Sequence, residues 1–195
     1  MAVWEERFVT WAKGPGTSED QRIENAITGV RKAIASDSYL AANTEVYVQG
    51  SNRNRVNVRQ ESDVDLGVIF TGPSFFAMYT EGTSSEGLRH ADADYTYAKF
   101  KNDVGIALVN HFGADAVSRG NKAFDIHENS YRIDADVVPT FEHRRYKADG
   151  SFLSGVQLLA DDGVKIICCV ARTFDPLRGR FRGVGQLAQI ASISL

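Results

Sequence analysis

Two aspartates separated by a single residue, Asp63 and Asp65, have the spacing that a metal site on a strand requires. They lie on either side of Val64, which begins an apolar run that ends at Phe70. Alternate side chains of a strand point to opposite faces, so we expect both carboxylates on one face and Val64 and Leu66 in a core. Two carboxylates held side by side repel each other unless a cation lies between them. The pair therefore predicts a divalent metal site built from oxygen ligands.

A Gly-Ser pair, Gly50 and Ser51, is separated from Asp63 by eleven residues and follows Gln49, which comes directly after the short apolar run Val46–Val48. We predict a strand over residues 45–49, after which glycine lets the backbone turn tightly and approach a ligand closely. Backbone N–H groups and a serine hydroxyl in such a turn bind phosphate well. An anion pocket beside metal-binding carboxylates predicts a nucleoside triphosphate held together with Mg²⁺.

The segment QGSNRNRVNVRQESDVDL, from Gln49 to Leu66, resembles the signature of the DNA polymerase β-like nucleotidyltransferase superfamily. Within that superfamily it is similar to the bacterial cGAS/DncV-like nucleotidyltransferases (CD-NTases), which make cyclic di- or oligonucleotide signals in anti-phage (CBASS) defence. The resemblance covers about residues 18–167. It implies an α/β (α+β) fold with a polymerase β-like nucleotidyltransferase core, in which helices pack against a mixed twisted sheet.

The resemblance also implies a third carboxylate from a neighbouring strand. The segment RIDADVVP, residues 132–139, matches this family element, and the Val-Val-Pro that follows favours Asp136 over Asp134. We expect Asp134 to lie further along the same face of the strand.

The family mechanism assigns roles to two groups of residues. The catalytic and metal-binding carboxylates are Asp63, Asp65 and Asp136, and the phosphate-binding residues are Gln49, Gly50 and Ser51. The implied cofactor is a pair of Mg²⁺ ions, with Mn²⁺ as an alternative. The implied substrates are ATP and other NTPs, and the implied partner is an effector that responds to the cyclic product. No DNA is required, and a regulatory protein partner is left open.

Two other functions are consistent with the same residues. One is a minimal nucleotidyltransferase that transfers AMP to a protein partner, as in toxin–antitoxin pairs. The other is a catalytically dead domain that binds a nucleotide or a partner.

The domain organisation follows from the extent of the resemblance. We expect a nucleotidyltransferase core at residues 1–167, with N-terminal helices within 1–40 and the catalytic sheet within 45–167. Residues 168–195 differ in character and carry four arginines against one acid. CD-NTases ordinarily continue into a helical half, so this tail has three open interpretations: a divergent terminus, a shifted reading frame or a truncated product.

Periodicity and capping signals predict the helices. Ser18 opens a capping box, and apolar residues recur at helical spacing as far as Ile34. A second helix is predicted to begin after Asp94 as its N-cap and to end at Phe112, before a glycine. We also expect a short helix over residues 74–79.

Strand signals dominate the second half of the chain. Residues 123–126 and 131–139 are predicted strands, and a meander is predicted over residues 141–167. The pairs Asp149-Gly150 and Asp162-Gly163 favour the hairpin turns of that meander.

Composition restricts the class of protein. The 195 residues are 43% hydrophobic and 24% charged, which is ordinary for a globular chain. A net charge of -3 argues against a general polyanion-binding surface. No apolar run approaches the ~20 residues that span a bilayer, and we find no charged-then-apolar leader. We therefore expect a cytoplasmic protein without a membrane segment.

Overall fold

The computed structural model describes residues 17–49, 63–168, 173–175 and 180–182. The helices among them are α1 (Thr17–Ala35), α2 (Ser38–Asn43) and α3 (Tyr97–Phe112), followed by a 3₁₀ turn (Ala114–Ala116). The strands are β1 (Thr44–Val48), β2 (Val64–Phe70), β3 (Phe76–Tyr79), β4 (Val117–Arg119), β5 (Phe124–Ile126), β6 (Ala135–Tyr146), β7 (Phe152–Leu159), β8 (Lys165–Cys168), β9 (Thr173–Asp175) and β10 (Arg180–Arg182). In the described part of the chain, no helix combines the length and the apolar character needed to cross a membrane.

Strands β1 to β8 form one mixed sheet, and its central order is β1-β2-β6-β5-β4. The 12-residue strand β6 organises it, because its first half lies between β2 (parallel) and β5 (antiparallel). Its second half pairs with β3 (parallel) and with β7 (antiparallel), and β8 pairs with β7. Strands β9 and β10 form a separate antiparallel pair. The mixed sheet with packed helices confirms the predicted fold class.

The main core lies between one face of the sheet and helices α1 and α3. Alternate residues of β2 and one face of each helix supply fully buried side chains: Val64, Leu66, Val68, Phe70, Val30, Ala33, Phe100, Val104 and Leu108. On the other face of β2, Ile69 packs in a second cluster with Val156 and with the partly buried Tyr47. Asp65 lies on that outer face, where it is half-buried.

The N-cap of α3 differs from the predicted one. Thr96 caps this helix instead of Asp94, and its Oγ1 accepts a hydrogen bond from the Lys99 N–H at 3.2 Å. Tyr95 explains the shift, because its ring packs on Phe70 at a centroid distance of 5.1 Å and the chain bends at residues 94–95 before the helix begins. The helix ends at Phe112, as predicted, before a glycine with φ of 92°.

The predicted helix over residues 74–79 is wrong, since Phe76–Tyr79 forms strand β3. This strand pairs in parallel with residues 143–146 of β6, and the Tyr79 ring stacks on Tyr146 at 5.7 Å. A sheet edge that offers ladder hydrogen bonds and aromatic neighbours outweighs the weak helical preference of so short a segment.

The predicted hairpins are confirmed. Gly150 and Gly163 adopt φ values of 81° and 88°, and the strands on either side of each turn are antiparallel. Residues 135–146 form one continuous strand, whereas the sequence predicts a break near residue 140. Within this sheet, the predicted strand over residues 123–126 is β5.

Candidate active site

Asp65 of β2 and Asp136 of β6 are directly opposite each other in the parallel register. Their neighbours Val64, Leu66 and Val137 are fully buried on the helix side of the sheet. Because side chains alternate along a strand, both carboxylates lie on the outer face. The structure therefore brings together two of the three predicted acidic residues on adjacent strands.

Asp63 lies one residue before β2, at the point where β2 begins to pair with β6. The Val64 N–H donates to the Asp134 carbonyl oxygen at 3.1 Å and starts this ladder. The Asp134 side chain has a separate contact, because its Oδ1 accepts a hydrogen bond from the Glu128 N–H at 2.6 Å. Asp134 thus ties the loop before β6, while Asp136 is the residue in register with Asp65.

A further carboxylate, Asp125 of β5, was not predicted from the sequence. It is opposite Asp136 in the antiparallel register of β5 and β6. Phe124 and Ile126 are buried in the core, so Asp125 lies on the same outer face as Asp136. The same apolar-acid-apolar alternation that marks Asp65 could have identified it. The sequence alone does not show that β5 lies next to β6.

Burial is the main cause of the raised pKa values of Asp63, Asp65 and Asp136. Burial raises the pKa of Asp136 to about 6, with further contributions from the negative charges of Asp125, Asp63 and Asp65. Burial also raises the pKa of Asp65. The pKa of Asp63 is raised by burial and then by the charges of Asp134 and Asp65. A concentration of negative charge with raised pKa values favours the binding of a cation.

The arrangement of these carboxylates is an open row. In the described part of the chain, no three His, Cys, Asp or Glu side chains are gathered closely enough to enclose a metal ion. Neighbouring strands lie ~4.8 Å apart, so the row from Asp65 through Asp136 to Asp125 spans about 10 Å. Mg²⁺ is usually held by one or two carboxylates together with waters and substrate phosphates. The donor set fits such an ion, which Asp63, Asp65 and Asp136 would hold.

Gln49 lies beside the row at the end of β1. Its N–H donates to the Asp65 carbonyl oxygen at 2.7 Å, and its side-chain amide donates to the Tyr47 hydroxyl at 3.2 Å. The chain therefore leaves β1 next to Asp65, in the direction of the predicted phosphate loop. The other two predicted phosphate-binding residues, Gly50 and Ser51, lie outside the described residues.

Comparison with known proteins identifies relatives of one kind, although no protein-family model matches the chain. The chain is 39% identical over 163 residues to the cyclic dipyrimidine nucleotide synthase CdnE of Cecembia lonarensis, an alignment that covers 83% of this chain and 55% of the relative. It is 41% identical over 165 residues to the protein of the same name from Legionella pneumophila, with coverage of 82% and 56%.

A solved structure supports the same relationship. The CdnE c-UMP-AMP synthase of Rhodothermus marinus, with Apcpp and Upnpp, matches the fold with a TM-score of 0.68 at 26% identity. This match covers 80% of this chain and 53% of the solved one. The chain thus spans about half the length of the relatives that it matches. It is a homologue of the CdnE cyclic nucleotide synthases and shares the polymerase β-like nucleotidyltransferase fold of the CD-NTases.

Proposed function

We propose that this chain is the catalytic core of a Mg²⁺-dependent nucleotidyltransferase that joins NTPs into a cyclic di- or oligonucleotide. One observation carries the proposal: Asp65 and Asp136 are in register on adjacent parallel strands. Asp63, one residue before β2, completes the set of carboxylates. Homology to proteins named as cyclic nucleotide synthases supports the same reaction.

The chain's own contribution to this reaction is to position the substrates. Asp63, Asp65 and Asp136 would hold the divalent ions, which would neutralise the triphosphate and lower the pKa of the attacking hydroxyl. The hydroxyl oxygen of one nucleotide bonds to the α-phosphorus of another, the bond from that phosphorus to the bridging oxygen breaks, and pyrophosphate leaves. The hydroxyl proton passes to solvent or to a carboxylate oxygen of the site. A second transfer within the linear product closes the ring, and no protein nucleophile is needed.

We extend the proposal to the biological setting. The substrates are ATP and other NTPs, and the R. marinus relative, whose structure contains Apcpp and Upnpp, supports nucleotides of this class. The product is a second messenger for anti-phage (CBASS) defence, which acts in the cytoplasm on a cyclic-nucleotide-responsive effector.

Product analysis with labelled NTPs tests the proposed reaction. We expect the chain, incubated with each α-labelled NTP and Mg²⁺, to form a phosphatase-resistant product whose mass is that of a cyclic oligonucleotide. EDTA should stop the reaction. Asp65→Asn should lower the rate at least ~100-fold, since it removes a charged group that contacts the metal and substrate.

The matched control is Asp94→Asn. This substitution changes an exposed aspartate in the loop before α3, and we expect it to keep the unmodified rate. Label on a protein instead of a nucleotide would contradict cyclic synthesis in favour of AMP transfer. Mg²⁺-dependent nucleotide binding without any turnover would contradict it in favour of a catalytically dead domain.

A further inference from the structure

The outer face of the sheet carries a row of polar side chains that extends beyond the metal-binding aspartates. Five residues form this row, one on or next to each strand of the central order β1-β2-β6-β5-β4: Gln49, Asp65, Asp136, Asp125 and Ser118. Val117 packs against the core, so the next residue, Ser118, faces outward like Asp125. The proposed reaction uses Asp65 and Asp136, the resemblance assigns Gln49 to the phosphates, and Asp125 and Ser118 have no role in either.

The geometry of phosphoryl transfer indicates which substrate lies near those two positions. The attacking oxygen and the leaving oxygen must lie roughly in line, on opposite sides of the α-phosphorus. The chain leaves β1 at Gln49, beside Asp65, and the resemblance assigns Gln49 and the two residues after it to the phosphates, so we place the leaving pyrophosphate on the β1 side of the row. The attacking nucleotide must then approach from the opposite side, past Asp136. That side of the sheet is formed by β5 and β4.

The side chains on β5 and β4 have the chemistry to bind a sugar. Asp125 and Ser118 are exposed and directly opposite each other in the register. Ser118 Oγ lies 2.9 Å from Nε2 of His127, the residue directly after β5, whose side chain is also exposed. The His127 N–H donates to the Ala116 carbonyl oxygen at 3.0 Å, which fixes the backbone beside β4. A carboxylate and a hydroxyl oriented by an imidazole are suitable partners for vicinal ribose hydroxyls.

We propose that Asp125, Ser118 and His127 form the acceptor-side subsite, which binds the ribose of the attacking nucleotide and leaves the attacking hydroxyl free to reach the α-phosphorus. This assignment rests on the proposed nucleotidyltransferase function and adds the position of the second substrate to it. Asp125, which neighbours Asp136 in the register, and the Ser118–His127 pair contact the acceptor, while the donor triphosphate stays on the β1 side.

The two substrates can be separated by chemistry. A 2′,3′-dideoxynucleoside triphosphate has no hydroxyl to attack with, so it serves only as the donor. An α,β-methylene nucleoside triphosphate has no cleavable bond at the α-phosphorus, so it serves only as the acceptor. A mixture of the two, with each of the four bases, yields one linear product whose rate can be titrated against each substrate separately.

We expect Ser118→Ala to raise the apparent KM for the acceptor analogue about fivefold, as for one lost hydrogen bond. Asp125→Asn should raise it about tenfold, since a charged acceptor is lost. The KM for the dideoxy donor should stay within twofold in both variants, and the Mg²⁺ concentration for half-maximal rate should stay within twofold in Ser118→Ala. Asp94→Asn and Ser85→Ala, which change exposed residues elsewhere, should alter neither KM.

The outcomes separate the two proposals. An unchanged acceptor KM in Ser118→Ala and Asp125→Asn would overturn the subsite while the synthase function stands. A rise in donor KM in either variant, or in the Mg²⁺ requirement of Ser118→Ala, would also overturn it, because the substituted residue would then act at the donor or at the metal. Absence of linear product from the unmodified chain would overturn the synthase function and the subsite together. The unchanged donor KM shows that each variant is folded.

Discussion

Asp136 lies between two other carboxylates, and this position controls its protonation. It faces Asp65 on one neighbouring strand and Asp125 on the other. Burial and these charges raise its pKa to about 6 from an ordinary value of 3.8. At neutral pH the charged form of Asp136 therefore lowers the stability of the metal-free fold, which is a common cost of functional sites.

The raised pKa of Asp136 predicts a pH dependence of stability. A carboxyl with a raised folded-state pKa stabilises the fold fully below pH 3.8, and this stabilisation is lost as pH rises through about 6. We expect the free energy of unfolding in EDTA to be about 1 kcal/mol lower at about pH 7.5 than at about pH 5, after allowance for solvent screening. Urea denaturation at both values measures it.

The matched variant for this pH dependence is Asp136→Asn. It should be more stable than the unmodified chain near pH 7.5 and should show about 1 kcal/mol less change between the two pH values. Equal pH dependence in the two proteins would contradict the assignment of the raised pKa to this residue.

At the scale of elements, β2 shows how a strand can be buried on both faces and still present a functional residue. Its even-numbered side chains enter the main core, and Ile69 enters the second cluster. Gly67 lies between Asp65 and Ile69 on the outer face, where the Tyr47 ring and the Gln49 amide occupy the space of the missing side chain. This close approach holds β1 against β2 and orients Gln49 beside Asp65.

The packing over Gly67 predicts the effect of adding one methyl group. In Gly67→Ala the new Cβ would overlap the Tyr47 ring and the Gln49 amide, so both must move. We expect a loss of about 1–3 kcal/mol in the free energy of unfolding, as for other overpacked positions, together with slower product formation. Gly87→Ala is the control, because the nearest atom to its new Cβ is the Ser84 Oγ at 3.3 Å, so a small movement makes room for it. This variant should change the free energy of unfolding by less than about 0.5 kcal/mol. Equal stability of the two variants would contradict this packing account.

At the scale of the whole molecule, one buried cation joins distant parts of the chain. Lys101 of α3 has a side chain only 2% exposed, and its Nζ donates to the Asn121 carbonyl oxygen at 2.7 Å and to Asp161 Oδ1 at 2.9 Å. Arg119 of β4 donates two further hydrogen bonds to Asp161, both at 3.1 Å. These hydrogen bonds connect α3, the edge strand β4 and the turn after β7.

Removal of Asp161 should test this connection. Asp161→Ala leaves the Lys101 ammonium buried without its counter-ion, and we expect a loss of about 3 kcal/mol in the free energy of unfolding. The hydrogen bonds from Arg119 and Lys101 lower the pKa of Asp161 to about 2. Its stabilisation is therefore present above pH 3.8 and is lost as pH falls through about 2. Asp162→Ala, which removes a carboxylate bonded to Asn121 and to the Val164 N–H, should lose only about 1 kcal/mol in the same denaturation experiment. Equal losses in the two variants would contradict the role of the buried cation.

The sequence by itself determined the features that depend on near neighbours along the chain. The Asp63-x-Asp65 spacing, the amphipathic period of α1 and the Asp-Gly turns at 149–150 and 162–163 are local patterns, and the structure contains each corresponding element. The resemblance of residues 49–66 to CD-NTases is a pattern of the same local kind, and the homologues confirm it.

The tertiary structure alone decided which strands lie side by side. It placed Asp125 next to Asp136, converted residues 76–79 into a strand along β6, and moved the cap of α3 to Thr96 through the packing of Tyr95. Strand neighbours are chosen by the burial of whole faces between residues far apart in sequence, and no local pattern records that choice. For this reason the acidic residues Asp63, Asp65 and Asp136 could be proposed from the sequence, while the position of Asp125 and Ser118 beside them could not.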